Sequence, residues 1–475
     1  MFFCSQEYLI FFAIVFTLYW VLPWSRARVW LLLIASFYFY ASWNRWLALV
    51  VAGSAALDYL LARAMDACDR RVLRRLLVTI SIVANLGLLC YFKYANFFLE
   101  SLEAAVRACG GHSSMPVLRV ILPIGISFYT FEAINYTVDV YRRRVRAERN
   151  LAHFLLFITF FPHLVAGPIV RSRDFLPQIA RRKRWNWARL NLGTQLFILG
   201  LFKKIAIADN MARFADPVFA DPGQYSTPAV WTGVIAYAMQ IYCDFSGYTD
   251  MALGSAHMLG YKLAPNFNLP YLARNVSEFW RRWHISLSSW LRDYLFIPLG
   301  GSRGGPVRTG ANLMITMTLG GLWHGASWNF VLWGALHGLY LIVHRVFRAI
   351  CGSVPWAGAV LDTIPGRALC VVLTFLTVSG TWVFFRAPDF GTATTVLGRL
   401  APSHPGLPAP VGMSLFWILV GVTVVSHGVG ESDLWRRLAT RLQPAVVGLG
   451  YAAAVVTTLV LTPDATEKVF IYFQF

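Results

Sequence analysis

Carboxylates are scarce in this chain. Its 475 residues hold 23 Asp and Glu against 42 Lys and Arg, and charged residues of both signs reach only 14%. Soluble chains average about 25% charged, whereas 57% of the residues here are hydrophobic. That balance excludes a string of water-soluble domains and points to a polytopic membrane protein, whose backbone groups must be satisfied internally because lipid offers no partners. Paired cysteines are missing too. The seven present are scattered without C-x-x-C spacing, and read as small buried hydrophobes rather than disulfides or metal ligands. There is no Walker loop, no G-x-G-x-x-G fingerprint and no H-E-x-x-H motif, which argues against nucleotide hydrolysis, a redox cofactor and a metal site. The apolar run 8–24 lacks a basic leader and a small-residue cleavage pattern, so it is expected to be a retained span rather than a signal peptide.

What the chain does have is a long series of apolar segments, about a dozen on length grounds, from 8–24 through 444–461. The net charge of +19 would suit nucleic acid, but its distribution does not. Arginines lie in short blocks between apolar runs, at 70–75, 142–149, 171–184 and 274–308, the positive-inside pattern of cytoplasmic loops. The segment 151–170 is bracketed by two such blocks and interrupted by Pro162, Gly167 and Pro168. It is expected to enter from the cytoplasm and return, which is tolerated where protein or water covers the irregular backbone. No internal repeat is apparent, so an inverted-repeat transporter has no support from sequence symmetry.

The stretch that organises the chain is 265–344. It carries two histidines, His284 and His324, each among tryptophans and apolar residues. At 100° per residue from Trp280 onward, Trp280, Trp283, His284, Leu287, Trp290, Leu291 and Tyr294 share one helix face, with Arg281, Arg282, Ser288, Ser289, Arg292 and Asp293 on the other. Between Arg308 and Arg345 lie 36 residues without a formal charge. A single crossing needs roughly 20 residues, so this run is read as a pair of helices with a break, expected near Gly320, Gly321 and Gly325, or as one long tilted helix. His324 is then deep in the membrane, and an ionisable group there is a functional-site hypothesis by default. Asp244 and Asp250 also lie in an apolar context. They are expected to orient the histidines or line the donor path, although Ser246, Gly247 and Asp250 together could equally start a helix.

The motifs WRRWHISLSSWLRDYLFIPLGG and GGLWHGASWNFVLWG, with FFPHLVAGPIVR (160–171), YCDFSGYTDMALG (242–254), PNFNLPYLARN (265–275) and the terminal FIYFQF (470–475), resemble the membrane-bound O-acyltransferase family in its bacterial polysaccharide-modifying branch. The resemblance covers essentially the whole chain. It implies one domain over 1–475, with core motifs in 160–345 and a tail at 464–475. The implied fold is an all-α helical bundle around a central cavity, with short, broken or re-entrant helices. By the same resemblance His324 is the catalytic histidine and His284 the second polar residue of the site, while Tyr472 matches a tyrosine that carries the acyl group covalently.

Acyl transfer from a thioester requires that the acceptor hydroxyl lose its proton and that donors meet the developing oxyanion. Histidine suits the first task. A neutral His284, or a backbone N–H near Gly325, would serve the second. Trp280, Trp323, Arg281 and Arg282 are expected to bind the donor, with acetyl-coenzyme A as co-substrate and no tightly bound cofactor. The 171–184 block could attract its phosphates. The expected activity is O-acetylation of an extracytoplasmic polysaccharide from the bacterial inner membrane, alginate first, with periplasmic acetyltransferase subunits as partners. Peptidoglycan or cellulose is the alternative within the class, and a proton-coupled transporter the alternative outside it.

Overall fold

The computed structural model describes residues 1–111, 115–118, 123, 125–164, 167–401, 403–432, 441–462 and 471, except for the side chains of 355–357. Among these residues the chain is all helix apart from one isolated bridge, Tyr225 to Leu407. In chain order the helices are α1 Gln6–Val21, α2 Ser25–Ala41, α3 Arg45–Asp66, α4 Arg71–Leu89, α5 Ala95–Ala108, α6 Ile126–Tyr141, α7 Leu151–Thr159, α8 Phe161–Leu164, α9 Ser172–Ala180 and α10 Trp187–Leu201. There follow α11 Asp209–Ala220, α12 Thr227–Met258, α13 Val276–Arg282, α14 Ile285–Leu291, α15 Gly305–His324, α16 Trp328–Gly352, α17 Pro355–Asp362, α18 Ile364–Arg386, α19 Phe390–Arg399, α20 Met413–Glu431 and α21 Pro444–Val460. One-turn π segments link α4 to α5, α10 to α11 and α14 to the loop after it.

Among the described residues, six helical stretches are long and apolar enough to cross a membrane: 45–66, 71–108, 187–220, 328–352, 364–386 and 413–431. This is a multi-pass membrane protein. Several of the remaining apolar segments are shorter than a span. α7 has nine residues, about 14 Å of helix against a hydrocarbon core of about 30 Å. It stops at Phe160, whose ψ of 108° leaves the helical region, and the chain turns into the four-residue α8.

The chain divides into two compact units, 1–197 with 252–264, and 198–251 with 265–475. The first is held by polar contacts inside apolar helices. On α3 the buried Asp58 accepts from Ser81 Oγ (2.6 Å) and Asn85 Nδ2 (2.8 Å) of α4. His163 Nε2 lies 3.2 Å from Glu132 Oε2, and Glu132 Oε1 accepts from the Val170 amide. These bonds fix the broken α7–α8 segment against α6, because polar groups in an apolar interior must find partners. The second unit holds 265–344 and a core dominated by Trp283, Trp333, Trp382, Phe279 and Phe385.

Candidate active site

The stripe from Trp280 is buried as its periodicity predicts at Trp280, Trp283, His284, Leu287, Trp290 and Leu291, while Tyr294 is only half-buried. It is not one helix. α13 begins at Asn275, whose side chain caps the Glu278 amide, and ends at Arg282. Trp283 is extended, and His284 adopts φ 42° and ψ 54°, in the left-handed region that few non-glycine residues enter. The cause of the break is Asn266. Its carbonyl accepts the Ile285 amide (2.9 Å), and its Oδ1 accepts the Ser286 amide (3.2 Å) and Ser286 Oγ (2.9 Å). The orphan amides that open α14 are therefore satisfied from the turn at 265–268. A residue held in such a conformation costs on the order of 1–3 kcal/mol, and persists only where its surroundings over-determine it.

The same oxygen sets the protonation state of the ring. Ser286 N–H can only donate, so the Asn266 atom facing it is the oxygen. His284 Nδ1 lies 3.1 Å from that oxygen and must carry the proton it shares. Nδ1 is thus the donor, and Nε2 holds the lone pair. His284 is fully buried and lies outside the six candidate spans; burial pushes its pKa down to about 3, so the ring is neutral. In this tautomer Nε2 carries no hydrogen. That geometry suits His284 to accept a proton at Nε2 rather than to donate one to an oxyanion.

His324 is the last residue of α15. The break predicted near three glycines falls at residues 325–327, and only Gly325 belongs to it. A Cβ on Gly325 would sit 2.1 Å from the Phe330 ring. Gly320 and Gly321 remain helical. Gly321 instead permits close approach of α16, since a Cβ there would meet Phe330 O at 2.2 Å and Gly334 Cα at 2.9 Å. This contact fixes the end of α15 and hence the imidazole. Trp323, Trp333 and Phe385 surround the His324 ring at centroid distances of 5.0, 5.1 and 5.2 Å. The His284 and His324 centroids are 6.5 Å apart, with Trp323 beside both.

A third buried histidine supports this chamber. Trp280 Nε1 donates to His337 Nδ1 (3.3 Å), and Thr381 Oγ1 lies 3.1 Å from His337 Nε2. Thr381 donates its own hydrogen to Val378 O (2.7 Å), so it accepts from Nε2, and His337 is a neutral Nε2–H tautomer with both nitrogens used. Its ring meets Trp333 edge-on at 4.7 Å, and Trp333 in turn faces His324.

Trp280 and Arg281 line a cavity of about 490 Å³, closed by Leu313, Met317 and Leu341 and bordered by Arg292. Arg282 is turned elsewhere: it pairs with Glu278 and, through two nitrogens, with Glu431 of α20. Asp244 and Asp250 lie within the 32-residue α12, so neither starts a helix. Asp250 pairs with Lys203 (2.6 Å). The buried Asp244 meets Lys204 (3.0 Å), which also binds Asp209 (2.7 Å), and Asp244 Oδ2 accepts the Ile471 amide (2.8 Å). Among the described residues neither aspartate hydrogen-bonds His284 or His324. Tyr472 lies outside the described residues.

The sequence that builds these two buried imidazoles and their aromatic surroundings has counterparts. The profile of the membrane-bound O-acyltransferase family matches residues 76–357. The chain belongs to that family. A probable alginate O-acetylase of Azotobacter vinelandii is 43% identical over 83% of this chain and 76% of its own length. A probable alginate O-acetylase of Pseudomonas aeruginosa is 42% identical over 83% and 73%. A peptidoglycan O-acetyltransferase of Helicobacter pylori is 39% identical over 78% and 73%. This member of the O-acyltransferase family also has site residues that sequence reasoning missed, Asn266, Ser286 and His337. For His337 a signal was present, because it lies four residues after Trp333 and so shares its helix face, just beyond the end of that motif at Gly334. Asn266 gave none beyond turn chemistry, since its partner lies 18 residues away.

Proposed function

We propose that this membrane-bound O-acyltransferase transfers acetyl from a cytosolic thioester to modify an extracytoplasmic polysaccharide. Alginate is the first choice, on the activities for which its relatives are named. The observation that carries the reading is the pair of buried imidazoles 6.5 Å apart among tryptophan and phenylalanine rings. An acceptor hydroxyl entering it loses its proton to an imidazole as its oxygen attacks the thioester carbonyl. The C–O bond forms and the C–S bond breaks. The proton passes back to the leaving thiolate, which departs as a thiol. His324 is assigned the proton transfer at the acceptor. His284, with its lone pair on Nε2, is the second acceptor on the proton's path. General acid–base help of this kind contributes about 10²–10⁴-fold. The buried aromatic walls keep water from taking the acyl group.

Acetyl-coenzyme A is the proposed donor. The cavity lined by Trp280 and Arg281 is its proposed approach, with an apolar wall for the acyl-pantetheine arm and guanidinium groups for its anionic end. Arg282 is better suited to fixing α13 to α20 than to binding donor. Asp244 and Asp250 support the reading indirectly, by holding the helices around the site. The protein is placed by this proposal in the bacterial inner membrane, with periplasmic acetyltransferase subunits completing delivery, and Tyr472 as an acyl carrier on the way.

Purified protein incubated with labelled acetyl-coenzyme A tests the proposal. Label is expected on protein or acceptor for the wild type and is lost in His324→Ala. Equal labelling of the two would refute the assignment of His324. Label at Tyr472 in wild type, absent in Tyr472→Phe, supports the carrier; unchanged labelling of Tyr472→Phe removes it.

A further inference from the structure

The first unit contains a second cavity, of about 570 Å³, that the acyl-transfer reading does not use. Arg28, Arg182, Lys183 and Arg184 line it, with Trp20 and Trp185. Among the described residues none of the four cations pairs with a carboxylate. Arg28 is fixed in place: Nε donates to Leu22 O (2.7 Å) and Nη1 to Lys183 O (3.0 Å), while its guanidinium lies 5.2 and 5.1 Å from the Tyr19 and Trp20 rings. These bonds tie the 182–185 loop to the turn between α1 and α2. Lys183 is held 4.2 Å from the Tyr261 ring, and burial, then Arg189 and Arg181, lowers its ammonium to about 8. Like charges have been gathered at a cost that an anion would relieve.

The surroundings indicate where that anion comes from. The cavity lies at the end of the apolar α1, next to exposed Trp24, which follows the lining residue Pro23, and exposed Trp187, which packs on Trp185. Trp185 stacks edge-on against both Trp20 and Trp187 at 5.1 Å. Tryptophans concentrate where hydrocarbon meets headgroups. A basic cavity at that level faces lipid phosphate at far higher local concentration than any dissolved phosphate. We propose that this cavity binds the phosphate of an anionic phospholipid drawn from the surrounding bilayer, with the glycerol end against Trp20 and Trp185. The motif-level assignment of the 171–184 arginines to topology or donor attraction does not require such a site.

Native mass spectrometry of the full chain, released from detergent with added phosphatidylglycerol or phosphatidylcholine, tests this. Phosphatidylglycerol adducts should persist on the wild type where phosphatidylcholine is shed. Arg182→Gln with Arg184→Gln should weaken phosphatidylglycerol binding about thirtyfold, at roughly fivefold per arginine removed. Arg182→Lys with Arg184→Lys should retain most of it and shows that the loop still folds. Separate arms with inorganic phosphate and with coenzyme A discriminate the source. Equal retention of the two lipids overturns the proposal. So does unchanged binding in the glutamine variant, or protection by either soluble phosphate compound where the lipid gives none.

Discussion

Asn266 offers the most direct test of how the site works, because one oxygen both caps α14 and fixes a tautomer. Asn266→Asp keeps size and shape but puts a negative charge at the position 3.1 Å from His284 Nδ1. The three donors converging there, Ser286 N–H, Ser286 O–H and His284 Nδ1–H, favour the ionised carboxylate. An opposite charge within ~4–6 Å raises a histidine pKa by about 1–3 units. Starting from about 3, His284 would titrate between about 4 and 6. The sign follows: as pH falls through that range Nε2 takes up a proton and loses its lone pair, so activity drops. The acid limb of kcat therefore moves up by one to three pH units, and activity near pH 8 stays close to wild type.

Asn266→Ala removes the acceptor altogether. The hydrogen bond that selects one tautomer is worth about 0.5–1.5 kcal/mol, up to about tenfold in the population of the competent ring, before any loss of orientation. The expected result is a fall in kcat of about tenfold or more, with KM for the thioester unchanged. Acetyl transfer by purified protein in detergent, followed from about pH 3 to 9, reads both variants. An Asn266→Asp enzyme with the wild-type acid limb, or an Asn266→Ala enzyme with wild-type kcat, would refute the assignment.

Other consequences can be checked beside it. Gly321→Ala should destabilise by about 1–3 kcal/mol and reduce acetyl transfer, because its Cβ meets α16 backbone at 2.2 Å, whereas Gly53→Ala, with nothing within 4 Å, should be neutral; thermal unfolding in detergent separates them. Lys204→Met should cost about 3–5 kcal/mol, since it leaves Asp244 buried and uncompensated beside Asp209, and adding Asp244→Leu should recover part of the loss. Trp280→Phe removes the donor to His337 Nδ1 and should cost about 1–3 kcal/mol for the unsatisfied acceptor, measured the same way.

The sequence was most legible where burial alone decides the outcome. The apolar face from Trp280 to Leu291, the burial of His324 inside the protein and the break in 151–170 all follow from where charge is tolerated in an apolar interior. It was least legible where a distant backbone intervenes. Periodicity predicts a helix through His284 because local propensity cannot register Asn266, whose carbonyl takes the Ile285 amide from outside the helix. Gly320 and Gly321 look like helix breakers for the same reason: only the presence of α16 turns Gly321 into a packing surface. Asp250 resembles a cap until Lys203, 47 residues earlier, supplies its partner.

Both histidines stand where a helix stops, His284 between α13 and α14 and His324 at the end of α15. A ring inside a continuous helix is confined to the stripe it shares with the preceding turn; at a terminus it can project past the end into a chamber. The cost is a set of unpaired backbone groups, several kcal/mol each where water is absent. Each break is therefore closed by a polar side chain. After His324, Ser327 accepts the Asn329 amide and Asn329 Nδ2 donates to Ala387 O (3.1 Å). At His284, Asn266 does this with the atom that also orients the imidazole. Cap and tautomer can still be separated, because Ile285 bonds the Asn266 main chain and not its side chain. A substitution of the side chain leaves that backbone bond in place, so a loss of kcat in Asn266→Ala that exceeds its loss of stability belongs to the ring.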